Sequence, residues 1–213
     1  MAFQELSGSV GGAVLTRAGG VSVMKRKPRY KYPVQPSQRL VHERLRAAAA
    51  AWNGLSWEQA EAWNRYAKSL KRVDEFTGQE YEGKGINAFT ALATKVLQVD
   101  PSAPIPLSPP TWEMRYEMPL VTVSDAPGAA IYTASGPTLE GIVAELMAQP
   151  LLNERRSPTK FYKSQAFAAF TAGELSAQVP LAPGWWALAV RFVEASTGRQ
   201  GLVLPLRRLE VSE

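Results

Sequence analysis

Trp185-Trp186-Ala187-Leu188-Ala189-Val190-Arg191-Phe192-Val193 runs with a period of two. Trp186, Leu188, Val190 and Phe192 fall on one side; Ala187, Ala189, Arg191 and Val193 fall on the other. That is the inward and outward alternation of a strand in a β-sandwich. It places Trp186 in a core and Trp185 nearer the rim. The same period recurs on both sides of this run. Strands are predicted at Leu120–Val123, Ala129–Thr133, Gly141–Met147, Phe161–Phe170, Leu175–Val179, Trp185–Val193 and Leu202–Leu209. Asp125-Ala126-Pro127-Gly128, Ala182-Pro183-Gly184 and Ser196-Thr197-Gly198-Arg199 read as turns, and 153–159 as a polar loop. Seven short strands at this spacing predict a β-sandwich domain over 111–213.

Upstream, residues 100–110 hold five prolines, which predicts a semi-rigid linker between two units. Before it the period is helical. Ser37 reads as an N-cap for a helix from Gln38 to Trp52, with Leu40, Val41, Leu45, Ala48 and Trp52 on one side. Asn53-Gly54 reads as a left-handed stop. Ser56-Trp57-Glu58-Gln59 is a capping box, opening a second helix that carries Ala60, Trp63, Ala67 and Leu70. Trp52 and Trp63 are expected to pack across the short connection. Residues 71–85 read as a loop, in which Gly83-Lys84-Gly85 lacks the spacing of a phosphate-binding loop. Ile86, Phe89, Leu92, Ala93, Val96 and Leu97 make the apolar stripe of a third helix. The helical domain is thus expected over 37–99.

Residues 1–36 read differently again. Ala13-Val14-Leu15 and Val21-Ser22-Val23-Met24 flank Gly19-Gly20 and predict a β-hairpin. Behind it, Lys25, Arg26, Lys27, Arg29, Tyr30, Lys31 and Tyr32 alternate with Pro28 and Pro33. Prolines at this density exclude a helix or a central strand and predict an extended arm, to be ordered by a partner. The fold class expected is therefore α+β and multidomain: hairpin and arm, three-helix unit, and a seven-stranded, Ig- or fibronectin-III-like sandwich.

Charge follows the same division. The net charge is +5, but residues 1–50 alone carry nine Lys/Arg against two Glu, and the rest is nearly neutral. A localised basic arm asks for an acidic partner, either nucleic acid or an acidic protein surface. The seven arm residues from Lys25 to Tyr32 are the candidate contacts. Cysteine is absent and His42 is the one histidine, so neither a thiolate site nor a His-dependent triad has its parts. Asp74-Glu75 and Glu80/Glu82 lack the oxygen spacing of a calcium loop. No dinucleotide fingerprint follows a strand. A non-enzyme without metal, cofactor or small-molecule substrate is expected. No apolar run reaches the length of a membrane span, and Met1–Leu6 lack the basic start of a signal peptide, so cytoplasmic synthesis is expected.

The order of motifs carries a resemblance. Ser7-Gly8-Ser9-Val10-Gly11-Gly12 is followed by a glycine turn and a basic stretch. Then come Pro33-x-x-Pro36-x-Gln38 with Arg44, Trp52-x-x-Leu55, Trp63, Ala67, and Gly85-x-x-Ala88-Phe89. Over roughly residues 7–97 this resembles small structural proteins of tailed-bacteriophage and prophage particles. The resemblance implies a virion component made in the host cytoplasm, with other virion proteins and further copies of itself as partners and packaged DNA as a contact of the arm. It implies no functional residue. Two other readings stand beside it. One is a nucleic-acid-binding protein, with the Lys and Arg residues on phosphates and Tyr30 and Tyr32 stacking. The other is a carbohydrate-binding or adhesion module that uses Trp185.

Overall fold

The computed structural model describes residues 8–18, 21–27, 35–70, 72–73, 78, 80–110, 117–159 and 161–212. The fold is α+β, with three helices and antiparallel sheets among the described residues.

The hairpin expected at the N-terminus is present as β2 (Ala13–Ala18) and β3 (Val21–Arg26), with Leu15 opposite Met24. Its Gly19-Gly20 turn lies outside the described residues. A third strand precedes it, β1 (Gly8–Val10), paired with β2. Gly11-Gly12 makes that link, and Gly11 takes φ 56°, the left-handed backbone that tight hairpins require and glycine adopts without strain.

Helix α1 spans Pro36–Asn53. Its cap is Gln35, not Ser37: the Gln38 side-chain carbonyl accepts from the Gln35 N–H at 3.0 Å. Pro36 occupies the first helical position, where its fixed φ and missing N–H cost nothing, and this draws the start two residues back. The stop is not left-handed either. Gly54 has φ −92°, and its N–H bonds to the Ala51 carbonyl at 3.1 Å. Helix α2 (Trp57–Ser69) starts with the expected box, Gln59 N–H to Ser56 Oγ at 3.3 Å and Ser56 N–H to Gln59 Oε1 at 2.9 Å. The stretch read as a plain loop contains a small hairpin, β4 (Arg72–Val73) with β5 (Glu80–Tyr81). Helix α3 (Gly85–Val99) closes the unit.

The tryptophans meet through α3. Phe89 lies 5.4 Å from the Trp52 ring and 5.2 Å, edge-on, from that of Trp63. Ala48, Ala67, Ala88 and Ala93 are buried around them, small enough to let the helices close in. Ile86, expected in the stripe, is exposed. Gly85 belongs to packing, with no sign of an anion cradle: its N–H bonds to Asn64 Oδ1 at 3.2 Å, and a Cβ there would stand 2.8 Å from the Asn64 backbone nitrogen. The proline stretch is no free spacer. Ile105 packs into the helical core, and the Leu107 carbonyl accepts from the Trp63 indole at 3.0 Å.

Beyond it lie two antiparallel sheets. One has the order β10-β7-β6: β6 is Val121–Ala126, β7 Ala129–Ala134 and β10 Ser176–Pro180. The other has the order β12-β11-β8-β9: β8 is Ile142–Leu151, β9 Lys163–Ala168, β11 Gly184–Glu194 and β12 Leu204–Val211. Strand β8 extends past the predicted Met147, through Pro150. Proline is tolerated there because β9 pairs only as far as Ala148, leaving that edge of Pro150 without a ladder to break. One core joins both sheets: Tyr132 from β7, Leu146 from β8, and Leu188, Val190 and Phe192 from β11. The Tyr132 hydroxyl crosses it to the Met147 carbonyl at 2.9 Å. Trp186 packs at the margin of this core, half-buried, with its indole on the Ala182 carbonyl at 2.8 Å.

The residues read as outward-facing on β11 are not exposed. Ala187, Ala189 and Val193 are buried, as are Glu145 and Met147 beside them on β8. On the other sheet, the outward Thr122, Ser124, Ser176 and Gln178 are all exposed. Over part of the buried face, around Glu145 and the turn after β11, helix α3 supplies the cover; the Ala187 end adjoins Pro158, Tyr162 and Pro205 instead. Lys95 reaches Glu145, and the Leu92 carbonyl sits against Gly198 in the turn after β11, where any Cβ would collide with it.

Candidate functional site

The basic residues that the structure describes stand at the end of β3. Lys25 pairs across from Val14 and Arg26 from Ala13, while the Lys27 N–H bonds to the Gly12 carbonyl at 2.7 Å. All three side chains are exposed. Neighbours along a strand point to opposite faces, so Lys25 and Arg26 serve different sides of the small sheet and do not make one stripe. Arg29, Tyr30, Lys31 and Tyr32 lie outside the described residues. Trp185 sits elsewhere, half-buried at the start of β11 between Leu151 and Glu210.

A second surface adjoins this one in sequence. Leu40, Val41 and Leu45 were expected to face the helical core, yet they are 54%, 48% and 43% exposed. Only the C-terminal part of α1, from Ala48 onward, enters the core. The first turns carry their apolar side chains beside Arg39, Arg44 and Arg46, with Glu43 the acidic residue of the helix. Between α1 and α3 runs a groove of ≈ 210 Å³ lined by Val41, Arg44, Leu45, Thr94, Lys95 and Gln98. Ser37, Gln38, Val41 and His42 line a neighbouring depression that continues it toward the helix start.

Beneath the groove lies an ion cluster that period and composition did not reveal. Glu145 is 1% exposed and accepts from Lys95 Nζ at 2.9 Å and from Arg191 Nη2 at 2.6 Å and Nε at 2.9 Å. Lys95 also donates to Gln98 Oε1 at 2.7 Å and lies over the Phe167 ring. Burial pushes the Glu145 carboxyl up, but two cations outweigh it and hold the group below the ordinary carboxylate value. Burial pulls the Lys95 amine down and Glu145 offsets this only in part, with the positive charges of Arg191 and Arg44 adding to the burial effect. A lone Glu on β8 beside an Arg on β11 was the available signal; its partner on α3 is 50 residues away in the chain.

Among the described residues, no group of three or more acidic or histidine side chains is placed to hold a metal, and no helix is long and apolar enough to cross a membrane. A comparison with protein families and a search of curated proteins both find no match to this chain.

Proposed function

We propose that this chain is a non-enzymatic structural component of a bacteriophage virion, locked to its neighbours by its N-terminal part. The observation that carries the reading is the exposure of that part. A small sheet with Lys25, Arg26 and Lys27 exposed is followed by a helix whose first turns present Leu40, Val41 and Leu45 to solvent. Surface of this kind gains by being covered. The motif order over residues 7–97 adds the particle context. The strand orders β10-β7-β6 and β12-β11-β8-β9 favour an Ig- or fibronectin-III-like sandwich as the outward module.

Density-gradient sedimentation of a lysate from a host producing the particle tests this. The chain is expected in the particle fraction, and removing residues 8–27 is expected to shift it to the light fractions. A full-length chain that stays light overturns the proposal.

The exposure of Lys25, Arg26 and Lys27 also favours a second reading, contact with DNA. A duplex titration at rising salt would then show steep loss of affinity, and Lys25→Ala with Arg26→Ala would flatten the slope. Absence of binding at low salt would end it.

A further inference from the structure

We infer that the groove between α1 and α3 is a docking site for an acidic, amphipathic segment of a partner protein. The inference rests on the assembly reading above and names the partner's chemistry. Sign of charge selects the occupant. Arg44 from α1, Lys95 from α3 and Arg191 from β11 converge at this place, and Glu145 is the carboxylate that faces them from β8. Glu145 is committed to Lys95 and Arg191 in the buried cluster, so among the described residues half-buried Arg44 is the cation left toward the groove. A partner carboxylate fits it, by a charge-assisted and often bidentate bond.

The apolar wall narrows the choice. Val41 and Leu45 are one helical turn apart, and Leu40 lies beside them, all exposed. Apolar side chains contribute nothing on phosphates, so nucleic acid would waste them, whereas the apolar stripe of a partner segment would cover them. The chain's own Lys27–Pro33 is basic, the wrong sign for this groove. A second copy offering the same helix would bring Arg39, Arg44 and Arg46 against their equivalents, a repulsive pairing. An acidic segment with apolar residues at helical spacing satisfies both the wall and the charge.

The probe is a fluorescein-labelled helical peptide of about 15 residues, with leucines at helical spacing and glutamates between them. It is titrated into the full chain and followed by anisotropy. Binding is expected, weakened about tenfold by Arg44→Glu and by Leu45→Glu, and similarly when glutamine replaces glutamate in the peptide. An unchanged melting midpoint verifies that each variant is folded; if Leu45→Glu fails this, Val41→Ser replaces it. No binding, equal binding of the glutamine peptide, or indifference to both variants overturns the inference. So does a dimer in sedimentation equilibrium that Leu45→Glu dissolves, or duplex DNA that displaces the peptide. If the peptide result fails while removal of residues 8–27 still frees the chain from particles, the groove falls and the assembly proposal stands. Peptide binding by a chain that never enters the particle fraction means the reverse.

Discussion

Glu145 is one buried carboxylate facing two cations, so its removal leaves charge of one sign in a dry place. Glu145→Gln is expected to destabilise the fold by about 3–5 kcal/mol, read from urea unfolding. Adding Lys95→Met to that variant removes one of the stranded charges and is expected to recover part of the loss, about 1–2 kcal/mol. If the double variant is no better than the single one, packing and not charge explains the effect. The acid limb of the stability curve has the same origin. The folded-state pKa of Glu145 lies below its ordinary value of 4.5. Its contribution is therefore fully present above that value, and is lost as pH falls through the folded value. Stability measured between about pH 3 and pH 6 is expected to decline less steeply with acid in Glu145→Gln than in the parent.

At the scale of elements, α2 and α3 approach so closely at Gly85 that a side chain would press on the backbone of Trp63 and Asn64. Two effects oppose each other in Gly85→Ala. Helix propensity favours alanine by about 1 kcal/mol, whereas overpacking costs about 1–3 kcal/mol and also disturbs the Asn64 hydrogen bond. Gly85 stands at the first position of α3, where propensity counts least, so a net loss is expected as a lower melting midpoint. A midpoint that rises would mean the helices separate freely at this point. The exposed first turns of α1 show the same competition differently. Their apolar stripe is a good helix pattern, but α1 enters the helical core only from Ala48 onward, and among the described residues the stripe stays largely exposed.

At the scale of the molecule, the five-proline stretch is anchored on the helical unit. Ile105 in the helical core and the Trp63–Leu107 hydrogen bond hold it down. Limited digestion with a protease of broad specificity is expected to spare residues 100–110 and to cut earlier near Leu152, which is 89% exposed. Early release of the helical unit by cleavage within 100–110 would mean that the docking of the stretch is too weak to protect it.

Local rules determined a good deal of this protein. The β2–β3 hairpin, the Ser56–Gln59 capping box, the three helices and all seven strands from Val121 to Val211 were legible, because each rests on periodicity or turn chemistry within a few residues. Where a neighbour's choice mattered, the reading missed by small amounts: Pro36 moved the start of α1, and the end of β9 let β8 run on through Pro150. Pattern alone could not say which sheet face would be dry. Ala187, Ala189, Arg191 and Val193 suit a wet outer face as well as a covered one, since small and apolar residues are compatible with either. Only the tertiary structure decided it, in part by bringing α3 against Glu145 on β8 and against the turn after β11. There the Lys95–Glu145–Arg191 cluster and the Leu92–Gly198 contact join residues far apart in the chain, a juxtaposition that no local period encodes.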